Sequence, residues 1–324
     1  MTLSREQALI QRVFAPLAEG DDGAAGLKDD AASYAPKPGM DVVITVDSLV
    51  ADVHFLSTDD PLLVAKKALR VNLSDLAAKG AKARGYVLAI ALSEDQDEAW
   101  IQRFADGLAE DQSRFGCTLM GGDTVATPGP LTLTVTAFGD VPQGRILRRG
   151  GGRAGDIVYV SGTIGDSALG LAALQGRIET DDDDLRRRYW LPEPRVDLVP
   201  ALLAHAHAAM DVSDGLVGDL GLLCWASGLT ARIDAQRIPL GQTATRLISK
   251  TPGLLETCLT GGDDYEILCS VPPEDADHFE AAADNAGVKV TAIGDLVPGT
   301  TPPQLIGAQG EVLHFAQGSY SHFK

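Results

Sequence analysis

The chain is short of aromatic residues (5%) and of positive charge: 27 Lys and Arg stand against 45 Asp and Glu, a formal net charge of -18. So few rings cannot build a base-stacking platform. Affinity for a nucleic-acid backbone comes from Lys and Arg, so that class of partner is excluded too. No apolar run reaches the roughly 18 residues that a membrane helix needs. The opening stretch, MTLSREQALIQRVFAPL, carries charge throughout and has no apolar signal core. Both features point to a cytoplasmic protein with no membrane partner. The four cysteines (Cys117, Cys224, Cys258, Cys269) lie far apart with no CxxC pair. A zinc site is therefore not expected, and they read as buried reduced thiols.

Familiar catalytic signatures are missing as well. There is no glycine-rich loop ending in Gly-Lys-Ser/Thr, no G-x-S-x-G elbow and no twelve-residue calcium-loop spacing. Gly150-x-Gly152-x-x-Gly155 matches a dinucleotide fingerprint in form only. It runs into the strand-like IVYV instead of opening a helix, so a Rossmann site is rejected.

What is present is a soluble globular composition, 45% hydrophobic and 22% charged over 324 residues, with room for two domains. Ser4–Leu17 has helical spacing with Ser4 as N-cap. Asp41–Val46 reads as a strand, Pro61–Ala83 as a long helix, Tyr86–Leu92 as a buried strand and Asp95–Phe115 as an amphipathic helix. LTLTVTAFGD at Leu131–Asp140 alternates as a half-buried strand should. The Gly- and Arg-rich Gln143–Asp156 is the boundary candidate, giving domains 1–143 and 144–324. Beyond it the pattern predicts a strand at Ile157–Val160 and helices from Asp166, near Leu198–Ala208 and at Glu274–Ala286. A further strand is predicted at Tyr265–Val271. The alternation makes this an α/β chain. The aspartate run Asp181–Asp184 reads as a solvated loop, because a like-charge block cannot pack.

Aspartates recur where apolar residues would be expected: KDDAA at Lys28–Ala32, TVDSLV at Thr45–Val50, NLSDLAA at Asn72–Ala78, GGDTV at Gly121–Val125, MDVSDGLVGDL at Met210–Leu220 and GGDDYE at Gly261–Glu266. Each alone is explained by a turn or a cap. As a set, Asp29, Asp30, Asp47, Asp75, Asp123, Asp211 and Asp214 sit at or near the ends of apolar elements, and packing brings ends together. Gathered carboxylates repel and desolvate one another unless a hard cation joins them. Mg²⁺ suits such oxygen sites and completes its shell with water and substrate phosphate. Asp75 lies inside a helical stretch with an apolar face (Val71, Leu73, Leu76, Ala77), which argues against the bland alternative of a surface Asp75–Lys79 pair. The strand, glycine turn and helix of IVYVSGTIGDSALGL offer either a phosphate cradle or an ordinary connection.

Together these segments resemble the thiamine-monophosphate kinases of the aminoimidazole ribonucleotide synthetase superfamily. The resemblance is carried in order by KDDAA, TVDSLVADVHF, KALRVNLSDLAAKGA, MGGDT, GRILRRGG, GDIVYVSGTIGDSALGL, LPEPRV, MDVSDGLVGDL, GGDDYEI and the terminal GSYSHF. It implies ATP-dependent phosphorylation of thiamine monophosphate to thiamine diphosphate by direct phosphoryl transfer. It also implies an N-terminal α/β domain pairing its sheet across a homodimer, a C-terminal α/β domain, and ATP between them. Carried onto this chain, Asp30, Thr45, Val46 (through its carbonyl), Asp47, Asp75, Asp123, Asp211 and Asp214 hold several Mg²⁺ ions, with K⁺ a further candidate. Gly122, Arg148 and Ser213 contact ATP; His54, Asp263 and Tyr320 contact the thiamine phosphate. Asp75, Asp123 and Arg148 are the residues expected to carry catalysis. Three departures stand out: Lys28 where the family often has Gly, Asp263 where it often has Glu, and Ser319 before the terminal aromatic. The competing readings are selenophosphate synthetase, the hydrogenase maturation dehydratase, the synthetase itself, and a binding-only regulator. The first two want a Cys near the N-terminus or at the C-terminus, where this chain has none.

Overall fold

The computed structural model describes residues 4–320, and its contacts divide the chain into two units. The first holds the residues up to Leu76 together with Ala81–Gly144; the second holds Ala77–Gly80 and the chain from Arg145 onward.

In the first unit Ser4 caps α1 (Arg5–Leu9) through a capping box with Gln7. The helix expected to run to Leu17 does not stay α. It widens into a π turn at Ile10–Phe14 and tightens into a 3₁₀ turn at Ala15–Ala18. Pro16 has no N–H for the carbonyl four residues back, so the α ladder cannot continue there. Four strands follow, β1 (Met40–Val50), β2 (Lys82–Leu92), β3 (Thr118–Ala126) and β4 (Thr132–Pro142), interleaved with α2 (Pro61–Ala78) and α3 (Glu98–Phe115). Gly80, at φ +76°, stops α2 before the expected Ala83, and Lys82 already belongs to β2. Asp97 caps α3, and Gly116 ends it in the left-handed conformation.

The strand order is β1-β4-β2-β3, with only β2 and β3 parallel. β3 escaped the sequence reading because Gly121 and Gly122 sit in its interior, where glycine weakens a strand signal. Gly122 is required there: a Cβ would collide with the carbonyl of Leu88 on β2. One face of the sheet is buried, by Val43, Leu49, Tyr86, Leu88, Ile90, Leu133, Val135 and Ala137. α2 and α3 are pinned together by a buried bidentate pair, Arg70 Nε and Nη2 on Asp111 at 2.6 and 2.9 Å. Tyr86 of β2 donates its hydroxyl to Gln112 of α3 at 2.8 Å. On the other face, Val42, Ile44 and Val46 of the edge strand β1 are exposed (38%, 67% and 58%).

The second unit is built on six strands in the order β10-β7-β9-β5-β8-β6. In chain order its elements are β5 (Ile157–Ser161), α4 (Asp166–Leu174), α5 (Asp183–Trp190), α6 (Val199–His205), β6 (Ala208–Val212), α7 (Leu216–Ser227), β7 (Thr230–Asp234), α8 (Gln242–Lys250), α9 (Leu254–Thr260), β8 (Glu266–Val271), α10 (Ala276–Asn285), β9 (Val290–Val297) and β10 (Gln304–Ile306). Alternation in the strands splits the core in two. Val158, Val160, Met210 and Val212 join Leu216, Leu220 and Leu223 of α7 on one face. Tyr159, Ala209, Ile267 and Cys269 join Leu198, Leu202 and Phe279 on the other. Asp181–Asp184 is not purely loop: Asp182 caps α5, with Asp183 and Asp184 in its first turn, where acid suits the helix dipole. The glycines of 150–155 are structural, since side chains at Gly150 and Gly151 would meet the carbonyls of Ala226 and His207. No helix among the described residues is long and apolar enough to cross a membrane.

Candidate active site

In the first unit β1 and α2 bring two expected ligands together. Thr45 and Asp47 alternate with Val46, so they share the sheet face opposite Ala137 and Val135 of β4. That is the buried face, and there the Thr45 hydroxyl donates to the Asp75 carboxylate on α2. Asp75 therefore takes its partner from β1, while Lys79 donates to the carbonyl of Ala209 at 2.9 Å. Val46 turns its side chain to the exposed face, so only its backbone is available as a ligand.

A cavity of about 600 Å³ gathers a second set. Asp29, Asp30, Gly121, Gly122, Asp123 and Thr124 meet there with the apolar Phe14, Leu27, Val87 and Ile90. Asp47, Asp75 and His54 are not among its lining residues. Lys28 is exposed beside it. His54 sits in a tight turn after β1: its Nδ1 accepts the N–H of Val50 at 3.0 Å, and its carbonyl accepts Lys67 Nζ at 2.9 Å.

In the second unit the MDVSDGLVGDL stretch is the end of β6, a turn and the start of α7. Asp211 is buried within β6, whereas Asp214 is exposed in the turn. Two expected residues, Asp263 and Tyr320, converge on this turn, together with Tyr265. Asp263 N–H donates to Ser213 O at 2.8 Å, Tyr265 N–H to Val212 O at 2.8 Å, and Tyr320 N–H to Asp214 O at 3.0 Å. Asp263 and Tyr265 both take positive φ (71° and 51°), an unusual conformation for non-glycine residues that clusters at functional sites. The shorter Asp263 accepts the Tyr265 hydroxyl at 3.2 Å. Arg148 is exposed, and its carbonyl accepts Ala209 N–H beside β6 at 3.1 Å. The last three residues of the terminal GSYSHF motif, 321–323, lie outside the described residues.

Sequence reading missed the buried carboxylates that hold these turns. Asp219, in the first turn of α7, accepts the N–H groups of both Ser213 and Asp214 at 3.0 Å. Burial pushes it up to about 7, partly offset by those two donors. Asp264 accepts Gly165 N–H at 2.8 Å. The glycine turn before α4 therefore presents that N–H to an internal carboxylate, which favours the ordinary-connection reading over the phosphate cradle. Burial raises Asp264 well above the usual carboxylate range. Glu266 is buried too, but Arg195 and Arg188 outweigh the burial and hold it below its ordinary value. Arg195 Nε lies 2.6 Å and Arg188 Nη2 2.7 Å from its oxygens, and Ser161 donates to it at 2.6 Å. The available signal was the repeated acid in GGDDYE and VSDGLVGD: with several acids in one motif, some must face inward.

Among the described residues no three His, Cys, Asp or Glu side chains form a ready metal cage. The donors at Thr45, Asp75, Asp30 and Asp123 are hard oxygens, in ones and twos. That fits Mg²⁺, which keeps waters and finishes its shell with phosphate, better than Ca²⁺ or Zn²⁺.

Comparison with known proteins places the chain in a family. Residues 28–141 match the family described as AIR synthase related protein, N-terminal domain, and residues 153–302 its C-terminal domain. A curated thiamine-monophosphate kinase of Caulobacter vibrioides is 48% identical over 293 residues, 90% of this chain and 83% of its own. The solved thiamine-monophosphate kinase of Stenotrophomonas maltophilia K279a has a TM-score of 0.84 at 37% identity, covering 95% of this chain and 98% of its own. AaThiL complexed with AMPPCP and TMP has a TM-score of 0.78 at 29% identity over 89% of each chain. The chain belongs to the AIR synthase related proteins and, within them, to the thiamine-monophosphate kinases.

Proposed function

We propose that this protein transfers the terminal phosphoryl group of ATP to thiamine monophosphate, giving ADP and thiamine diphosphate. Its relatives bear that activity in their names, and AaThiL was solved with the ATP analogue AMPPCP and with TMP. The structural observation that carries the reading is the hollow where Asp29, Asp30 and Asp123 meet glycine-rich backbone and an apolar wall. An apolar-walled cavity with a few convergent polar groups is the usual form of a small-molecule site.

Asp30, Thr45, the carbonyl of Val46, Asp47, Asp75, Asp123, Asp211 and Asp214 are the proposed Mg²⁺ ligands, with K⁺ a further candidate. Bound magnesium would neutralise phosphate charge and orient the transferred group. Gly122, in the strand where a side chain cannot fit, leaves its backbone open to close approach by a nucleotide. Arg148 supplies positive charge toward ATP, and Ser213 a hydroxyl. His54, Asp263 and Tyr320 are assigned to thiamine monophosphate, with Tyr320 offering a ring face to its cationic thiazolium. The acceptor is already an ionised phosphate and needs no strong general base. Positioning and charge neutralisation are then the main work of the site.

The exposed Val42–Ile44–Val46 face of β1 is assigned to a homodimer contact, as contiguous exposed apolar surface often marks an interface. Sedimentation of an Ile44→Asp variant tests this: it should shift toward monomer, and an unchanged sedimentation coefficient would refute it. The cytoplasm is the proposed compartment. For the activity, purified protein is incubated with ATP, Mg²⁺ and thiamine monophosphate, with EDTA in parallel. Metal-dependent thiamine diphosphate is expected. ATP binding without product would overturn the kinase reading.

A further inference from the structure

The turn after β1 is over-determined. Val53 N–H and His54 N–H both donate to Val50 O, at 3.1 and 2.9 Å, and Asp52 N–H donates to Phe55 O at 2.7 Å. Asp52 holds a left-handed φ of 62°, and its carboxylate accepts Ser57 N–H at 2.9 Å. Two further contacts act on His54 itself. A backbone N–H can only donate, so the Val50 N–H at 3.0 Å requires an unprotonated Nδ1. The ring proton is then on Nε2, and the side chain is a hydrogen-bond donor at that atom. On the backbone side, Lys67 Nζ donates to the His54 carbonyl at 2.9 Å. Lys67 is only 2% exposed, an uncommon state for lysine. It lies eight residues before Asp75 on α2, two turns along the same helix face. One helix thus carries both the Asp75–Thr45 contact and the support of the His54 turn.

We propose that Lys67 is a positioning residue for thiamine monophosphate: by holding the 50–55 turn it keeps His54 as an Nε2–H donor for the substrate. This rests on the proposed function for the substrate and on geometry alone for the tautomer. A buried ammonium on a carbonyl is a charge-assisted bond, stronger and more directional than a neutral one. A histidine held in this way offers a proton to a phosphate or ring nitrogen instead of taking one. The turn also has little freedom left to lose when substrate binds.

The test uses the full chain with Lys67→Met and Lys67→Arg, each assayed for thiamine diphosphate and examined by NMR after selective ¹⁵N-histidine labelling. A His54→Gln spectrum assigns the resonance. In the wild type, His54 should show an unprotonated Nδ1 and a protonated Nε2. Lys67→Met should raise KM for thiamine monophosphate about tenfold or more, the scale of one lost charge-assisted bond. It should leave KM for ATP within about twofold, since ATP makes no use of the turn, a difference well below that tenfold step. Lys67→Arg should recover part of the loss. An Nδ1-protonated His54, or equal changes in both KM values, overturns the proposal. A wild type with the expected tautomer but no product refutes the kinase reading and leaves the tautomer assignment standing. If Lys67→Met does not fold, the wild-type spectrum and the Lys67→Arg KM values decide.

Discussion

In the first unit Asp30 and Asp123 are exposed and line a hollow; in the second Asp219, Asp264 and Glu266 are buried and receive hydrogen bonds from their own chain. The residue types are the same and the neighbouring motifs look alike, yet the two groups have different partners. A carboxylate at an open hollow can be satisfied from outside, by a cation or by water. A buried one needs positive charge within the chain, or its pKa climbs even where backbone N–H groups donate to it. Asp219 and Asp264 show the climb, and Glu266, with two arginines, shows the alternative. An acid-rich motif therefore mixes ligands with the struts that hold them.

That contrast can be broken by mutation. Asp75→Asn should lower turnover about 10²–10³-fold, the scale of losing one electrostatic stabiliser, while the melting temperature stays nearly unchanged. A large stability loss instead would place Asp75 among the struts. Glu266→Ala should do the reverse. It strands Arg188 and Arg195 with no carboxylate between them, and urea denaturation should show a loss of about 3–5 kcal/mol. A variant as stable as the wild type would mean that the arginines find water.

Asp219→Ala sits between these extremes. It frees two backbone N–H groups in the turn that carries Ser213 and Asp214, and should cost about 1–3 kcal/mol of stability. It should also raise KM for ATP, because Ser213 loses its support. Unchanged KM with lowered stability would make Asp219 a strut with no bearing on the site.

The smallest effect belongs to the thiols. Burial pushes Cys117 and Cys258 up to about 12 and Cys224 to about 11, from a reference of 9.0, and raises Cys269 as well. The folded chain thus keeps protons that the unfolded chain releases above pH 9. This contribution to stability is complete below that pH and falls as pH rises through 11. Native protein at pH 8 should barely react with a thiol reagent, and urea should expose all four cysteines. Rapid labelling of the native state would show that a thiol opens to solvent.

Most of the framework was legible because it rests on local patterns. LTLTVTAFGD alternates and forms β4; the Asp97 cap and left-handed Gly116 frame α3 within the expected span. β3 was not legible, since two interior glycines weaken its pattern and Gly122 is there for the close approach of β2, a contact that local sequence does not encode. The pairing of Thr45 with Asp75 and the convergence of Asp263 and Tyr320 on the 213–214 turn join segments far apart in the chain, which spacing does not encode. Asp219 and Lys67 were overlooked because their partners are backbone atoms, which leave no trace in side-chain identity.

The Glu266–Arg188–Arg195 knot also bears on how this chain can change over generations. Removing Glu266 leaves two largely buried arginines without their carboxylate, and removing both arginines leaves a buried carboxylate, so the acid cannot be lost first without passing through a poorly folding intermediate. Replacement by an apolar trio would be tolerated only if all three positions changed nearly together. Residue 266 should therefore change only together with 188 and 195, while the exposed Asp181, Asp183 and Asp184 are free to vary singly.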